Sequence, residues 1–213
     1  MEYPSLSALT PKQRDAVRAI YEEAFPAWQR EPFDALVQGA ADPSRLQLAM
    51  LDAGEVVAFA TSVRLQAVPW WFLEYFAVIN QRRNEGLGGL LWDAVVERVS
   101  DDRGPQIVME VGRPEEAPLG SAERAIRERR VEFYRRRGAR PLNVPAYRVP
   151  RFSDDGTEAF LLLAVPPPAN PTPSGGALKS LVRSLYVEGY GLPADDPLLR
   201  SALASLKAAT GEC

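Results

Sequence analysis

The residues with the clearest chemical potential sit inside the stretch Trp70–Val99. There, Arg83-Asn84-Glu85-Gly86-Leu87-Gly88-Gly89 separates an apolar run from a helix-forming one. The spacing predicts a strand over Trp71–Ile79, a polar turn over Asn80–Glu85 and a helix opening at the glycines. A strand that feeds a glycine-rich turn into a helix start makes an anion site, because free backbone N–H groups and the helix dipole both face the turn. Glycines let a diphosphate approach the backbone without a Cβ in the way. The chemistry this suggests is capture of a nucleotide-type cofactor by its pyrophosphate.

Proton transfer is restricted by what the chain lacks. It has no histidine, which excludes Ser-His-Asp and Cys-His catalysis, histidine zinc sites and a histidine general base. Asp, Glu, Tyr, Lys, water or the single cysteine, Cys213, must do this work. Glu74 stands among Trp70, Trp71, Phe72 and Tyr75. Desolvation by these rings would raise its pKa toward working pH. The same rings read either as the lining of an acceptor pocket or as sheet core. Alternation along a strand allows both for different members.

The elements that must position these groups follow from pattern. Glu2–Leu9 reads as a short strand. Thr10-Pro11 caps a helix whose Val17, Ile20, Tyr21, Ala24 and Phe25 share one face, and Pro26 ends it. A short helix over Pro32–Gln38 follows. Arg45–Leu51 and Glu55–Leu65 form a hairpin around Asp52-Ala53-Gly54. Beyond the glycine helix come a buried strand over Gln106–Val111 and a Pro- and Glu-rich loop over Gly112–Gly120. A helix over Ser121–Arg137 closes at Gly138, and strands over Pro141–Phe152 and Thr157–Val165 flank the turn Ser153–Gly156. Pro145 and Pro150 interrupt the first of these two strands.

Three phosphate-binding loops compete for the glycine turn. A P-loop needs Lys and Ser or Thr after its last glycine, where this chain has Gly89-Leu90-Leu91. A dinucleotide fingerprint needs a third glycine where Leu91 stands, although Glu110 could imitate its ribose-binding acid. The hairpin before the turn also disagrees with alternating parallel strands and helices. The third candidate fits. Arg83-Asn84-Glu85-Gly86-Leu87-Gly88 resembles the Q/R-x-x-G-x-G/A acyl-CoA motif of the GNAT N-acetyltransferases, following a strand that ends Phe76-Ala77-Val78. Further on, Glu132-Phe133-Tyr134-Arg135-Arg136-Arg137-Gly138-Ala139 resembles the family's second signature, with Ala139 in place of the usual phenylalanine. The order of elements is also the family's.

The resemblance implies an α/β (α+β) fold with a mixed, mostly antiparallel central sheet flanked by helices. It implies acetyl-CoA as acyl donor, held by Arg83, Asn84, Glu85, Gly86, Leu87, Gly88 and Gly89, with the pantetheine arm paired to the backbone of Phe76, Ala77 and Val78. Tyr134, at the motif tyrosine, would protonate or hydrogen-bond the leaving sulfur. Glu74 and Glu110 are the two candidate bases for the incoming amine, Glu74 ranked slightly above because a long loop after Glu110 leaves its alignment less certain. The acceptor would be a small-molecule or peptide amine, attacked directly in a ternary complex. A non-catalytic CoA-binding module with a partner-docking tail is the competing reading.

Composition limits partners. The net charge is -3, giving no general attraction to nucleic acid or anionic membranes. The eight arginines of Ser121–Arg140 face only three glutamates there. They read as a solvated face laced with i,i+4 pairs rather than a nucleic-acid surface. No apolar run approaches the ~20 residues of a membrane helix, and no signal peptide opens the chain, so a cytoplasmic protein without a metal site is expected. Residues 1–166 are expected to form the acyltransferase domain, 167–176 a proline-rich linker, and 177–213 a helical tail. In that tail Leu178, Leu181, Val182, Leu185 and Tyr186 share a face that must cover this chain's own sheet or a second subunit in a homodimer. Cys213, at the chain end, is a poor nucleophile candidate.

Overall fold

The computed structural model describes residues 1–38, 42–102, 104–167 and 171–210. The fold is mixed α/β, with a mostly antiparallel sheet flanked by helices. It divides into two compact units, the first made of Met1–Arg64, Leu73–Ser100 and Arg151–Asp155. The second contains Leu65–Phe72, Asp101–Pro150 and the chain from Gly156.

In the first unit, helix α1 (Pro11–Ala24) starts in a capping box. The Thr10 hydroxyl accepts from the Gln13 N–H, and the Gln13 side chain accepts from the Thr10 N–H. Helix α2 (Phe33–Gln38) follows, then strands β1 (Arg45–Asp52) and β2 (Glu55–Arg64), paired antiparallel. Their turn needs positive φ at Ala53 and Gly54, 50° and 83°. Strand β3 (Trp71–Val78), which belongs to this unit from Leu73 on, runs into the glycine turn, and helix α3 (Leu87–Val99) leaves it. Val17, Ile20, Tyr21 and Phe25 of the α1 segment, Phe33 and Leu36 of α2, and Ala49, Phe59, Tyr75 and Ala77 of the strands form one buried cluster. Tyr75 is therefore core, edge-on to Tyr21 at 4.9 Å and to Phe25 at 5.0 Å.

The expected strand over Glu2–Leu9 is instead two isolated bridges, Glu2 to Leu51 and Ser5 to Leu48, and a 3-10 turn over Leu6–Ala8. Pro4 has no N–H for a ladder, and the Ser5 side chain caps the turn by accepting from the Ser7 N–H.

In the second unit β4 (Ile107–Gly112) and β7 (Thr157–Val165) pair antiparallel, with Glu110 opposite Leu162. Helix α4 (Ala122–Arg135) is capped by Ser121. Arg124–Glu128, Arg127–Glu123 and Arg136–Glu132 pair along it at i,i+4, as the pattern predicts. The single strand expected over Pro141–Phe152 is split into β5 (Arg140–Leu142) and β6 (Arg148–Pro150), both on β7. A turn closed by the Tyr147 N–H on the Val144 carbonyl, with Pro145 inside it, separates them. Helices α5 (Gly175–Ser184) and α6 (Pro197–Thr210) form the tail, and Leu178, Leu181, Val182, Leu185 and Tyr186 are all buried. Part of the linker and Cys213 lie outside the described residues.

Candidate active site

The glycine turn lies in the first unit. After β3, a 3-10 turn over Asn80–Arg82 carries the chain to Asn84 and Gly86, at φ 70° and 83°. Gly86 is the N-cap of α3 and makes no side-chain cap bond, so the N-cap residue itself leaves the first N–H groups of the helix uncovered. A Cβ on Gly86 would meet nothing. The glycine is required by its left-handed backbone, not by crowding. Leu87, Leu91, Trp92 and Val95 anchor α3 by their burial while Arg83–Gly86 stay exposed. The Arg83 Nε donates to the Val78 carbonyl at 3.3 Å. Arg82, which the motif leaves unassigned, braces the turn by bonding Asp52 at 2.6 Å and Glu85 at 2.9 Å. Phe76 meets Trp92 of α3 edge-on at 6.4 Å.

Glu74 also belongs to this unit. Both its oxygens accept from Arg45 Nη2, at 2.9 and 3.0 Å. Glu31 stands 3.9 Å from the same guanidinium. The segment carrying Glu31 is pinned by Tyr21, which donates to the Glu31 carbonyl at 3.0 Å, and by Tyr75, which accepts from the Glu31 N–H at 3.2 Å. Burial pushes Glu74 up to about 7 against the opposing pull of Arg45, while Glu31 adds to the rise. Glu31 is itself raised by burial, with Arg45 lowering it. Around them Arg45 Nε, Arg30 Nε and Gln47 Oε1 are buried without hydrogen-bond partners. The Thr61 hydroxyl steadies the Glu74 anion without a bond of good geometry. Removing the guanidinium leaves two enclosed carboxylates uncompensated. Arg45→Ala is accordingly expected to lower stability by about 3–5 kcal/mol, read as a shifted urea midpoint at pH 8.

Glu110 and Tyr134 lie in the second unit. Glu110 keeps some exposed area, but its carboxyl is desolvated and accepts hydrogen bonds from the Tyr147 and Tyr190 hydroxyls. Burial pushes it up to about 7, and the two hydroxyls hold it down against that rise. Tyr134 is buried near the end of α4, edge-on to Phe133 at 5.1 Å. Arg137 covers the Phe133 ring at 3.7 Å. The Ala139 N–H bonds the Tyr134 carbonyl at 3.0 Å, and Gly138 turns the chain at φ 85°. Burial pushes the Tyr134 phenol up to about 12, with Arg130 and Arg137 pulling the other way. It is therefore protonated at any physiological pH.

The arrangement brings Glu74, Phe76–Val78 and Arg83–Gly89 into one unit, and Glu110 and Tyr134 into the other. Sequence reasoning missed Arg45, Glu31, Arg82, Tyr147 and Tyr190. No group of acidic, cysteine or histidine side chains that could hold a metal occurs among the described residues. No helix there is long and apolar enough to cross a membrane.

A strand, a left-handed glycine and an uncapped helix start agree with what comparison finds. Residues 14–118 match the model of the Acetyltransferase (GNAT) family. Over those residues the protein carries a GNAT acetyltransferase domain. Glu74, the glycine turn and Glu110 fall inside the matched residues, and Tyr134 lies beyond them. A protein assigned to the GNAT family from Bacteroides thetaiotaomicron superposes with a TM-score of 0.71 at 17% identity, covering 91% of this chain and 100% of that one. An aminoglycoside 6'-N-acetyltransferase complexed with coenzyme A gives 0.59 at 18% identity, covering 81% and 100%. The ribosomal-protein-S18-alanine N-acetyltransferase of Escherichia coli gives 0.55 at 17%, covering 80% and 96%. At such identities the likeness is one of fold. No curated protein matches the chain.

Proposed function

We propose that the protein transfers an acetyl group from acetyl-CoA to a primary amine by direct attack within a ternary complex. The observation carrying this reading is the left-handed, uncapped Gly86 at the head of α3, inside the family match. Its open N–H groups, with Arg83, suit the cosubstrate's pyrophosphate. The main chain of Phe76–Val78 suits its amide-bearing arm. Acetyl-CoA supplies the activated acyl group, and the protein's residues hold it and move protons.

The amine must lose a proton, and two desolvated carboxylates are poised near neutrality for this. What supports Glu110 over Glu74 is the company each keeps. A proton on Glu74 would dismantle its pair with Arg45. Glu110 is held by hydroxyls, which can turn when it takes a proton. Glu110 is therefore the base in this reading. Glu74 stays paired with Arg45, beside Glu31, and takes no proton in this reading.

Tyr134 serves the departing sulfur. Its phenol near 12 lies ~3.5 pH units above an ordinary thiol, so full proton transfer would be uphill by about 5 kcal/mol. It acts as a hydrogen-bond donor to the developing thiolate. Tyr134→Phe is expected to slow acetyl transfer about tenfold with the Kd for acetyl-CoA nearly unchanged. An unaltered rate would remove Tyr134 from the mechanism.

The second reading, a CoA-binding module without catalysis, draws its support from the Arg45–Glu74 pair, which is what a structural strand acid would make. Steady-state rates against pH for the parent, Glu74→Gln and Glu110→Gln test the proposal. Loss of the acidic limb in Glu110→Gln supports it. An acidic limb that survives both substitutions would defeat the base assignment.

A further inference from the structure

The tail does more than cover apolar surface. Its α5 buries Leu178, Leu181 and Val182, as an amphipathic covering helix should. It then widens into a π turn over Leu185–Gly189 instead of ending. Such turns commonly re-aim side chains at functional sites. The turn is fixed from several sides. The Glu188 carboxylate accepts from the Gln66 and Ala67 N–H groups. Tyr186 donates to the Arg148 carbonyl at 2.6 Å and accepts from the Arg148 N–H at 3.3 Å. A Cβ at Gly189 would sit 3.0 Å from the Phe72 ring, so a larger residue would need that ring to give way by a few tenths of an ångström. The Tyr190 N–H closes the turn on the Leu185 carbonyl at 3.1 Å.

The product of this geometry is one phenol. The Tyr190 ring packs between Phe72, at 6.0 Å, and Tyr186, at 6.3 Å, and its hydroxyl reaches one oxygen of Glu110. Tyr147, between β5 and β6 and almost wholly buried, reaches the other. Among the described residues, these two hydroxyls act on the carboxyl, with the Tyr186 phenol nearby and bonded elsewhere.

We infer that Tyr190, supplied by the C-terminal tail, and Tyr147 are positioning residues that hold the Glu110 carboxylate in its anionic, proton-accepting form, making the tail a working part of the transferase. This rests on the reading of Glu110 as the base. An ionised carboxylate only accepts hydrogen bonds, so both phenols must donate to it. When Glu110 takes the amine's proton, one phenol gives up its bond and turns to accept from the new carboxylic O–H. No atom is lost, and the tyrosines keep their protons.

The test is Tyr190→Phe, which keeps the ring and removes the hydroxyl, with Tyr147→Phe as a second variant. Two readouts are taken on the full chain: the pH dependence of kcat/KM with acetyl-CoA and an accepted amine, and the carboxyl titration of Glu110 by 13C NMR, identified by its loss in Glu110→Gln. Losing a donor to the anion raises the pH at which the carboxyl takes its proton. The acidic limb and the NMR titration should both move up by about one pH unit in Tyr190→Phe and Tyr147→Phe. The rate then falls about fivefold at pH 7 and recovers to within about twofold at pH 9. A merely structural loss would depress the rate equally at both pH values. An NMR titration that stays in place in Tyr190→Phe overturns the inference, as does a moved titration beside an unmoved limb. A parent chain that acetylates no amine while the titration still moves defeats the acetyltransferase reading alone, leaving the tail's hold on Glu110 intact.

Discussion

Replacing Glu110 by glutamine should lower the turnover number by about two to three orders of magnitude while the Kd for acetyl-CoA stays within about twofold. The amide has nearly the shape of the carboxyl but cannot take a proton, so binding is spared and deprotonation of the amine is not. The same substitution has a thermodynamic signature of predictable sign. The folded chain keeps a proton on Glu110 up to about 7, whereas the unfolded chain releases it near the ordinary carboxyl value of 4.5. Below 4.5 both states hold the proton. As pH rises from there toward 7 the unfolded state is favoured, and above 7 the loss is complete. One such group removes about 3 kcal/mol across that window. Glu110→Gln should therefore lose less stability between pH 5 and 7.5 than the parent, measured as the difference in urea midpoint at the two pH values. An equal loss in both proteins would mean that Glu110 titrates normally in the fold.

The second large effect belongs to Gly86. Valine there must either hold a left-handed backbone, costing more than the roughly 1–2 kcal/mol of an ordinary L-residue, or unfold the turn. Gly86→Val is expected to weaken acetyl-CoA binding at least about tenfold, measured by calorimetry. Gly86→Asn, whose side chain tolerates the left-handed region, should keep most of the affinity. Space is not at issue, since a Cβ at this position meets nothing. A valine variant that binds acetyl-CoA like the parent would show that the turn does not hold the cosubstrate.

The sequence is most legible where chemistry and backbone demand the same residue. A glycine at a helix start after an apolar strand can be read locally, and so could α1, through Thr10, Pro11 and Gln13. Helix α4 with its three i,i+4 pairs was equally readable. What could not be read is pairing across distance. Arg45 meets Glu74 from 29 residues away, Tyr147 meets Glu110 from 37, and Tyr190 from 80. No spacing rule links such positions, because the sheet and the tail create the proximity. The ring cluster near Glu74 is visible in the sequence, whereas the Arg45 partner that opposes its protonation is not. Tyr75, one of those rings, is core against Tyr21 and Phe25. The tail's apolar face is equally visible, but the π turn that presents Tyr190 is not, since the apolar spacing does not mark where an α-helix widens.

The central claim, amine acetylation in a ternary complex, is tested most directly by initial rates of CoA thiol release with acetyl-CoA and an amine both varied. The account predicts release that depends on the amine, an N-acetylated product by mass spectrometry, and double-reciprocal lines that intersect. Tight acetyl-CoA binding with no amine-dependent release across primary amines, amino sugars and peptide N-termini would contradict it.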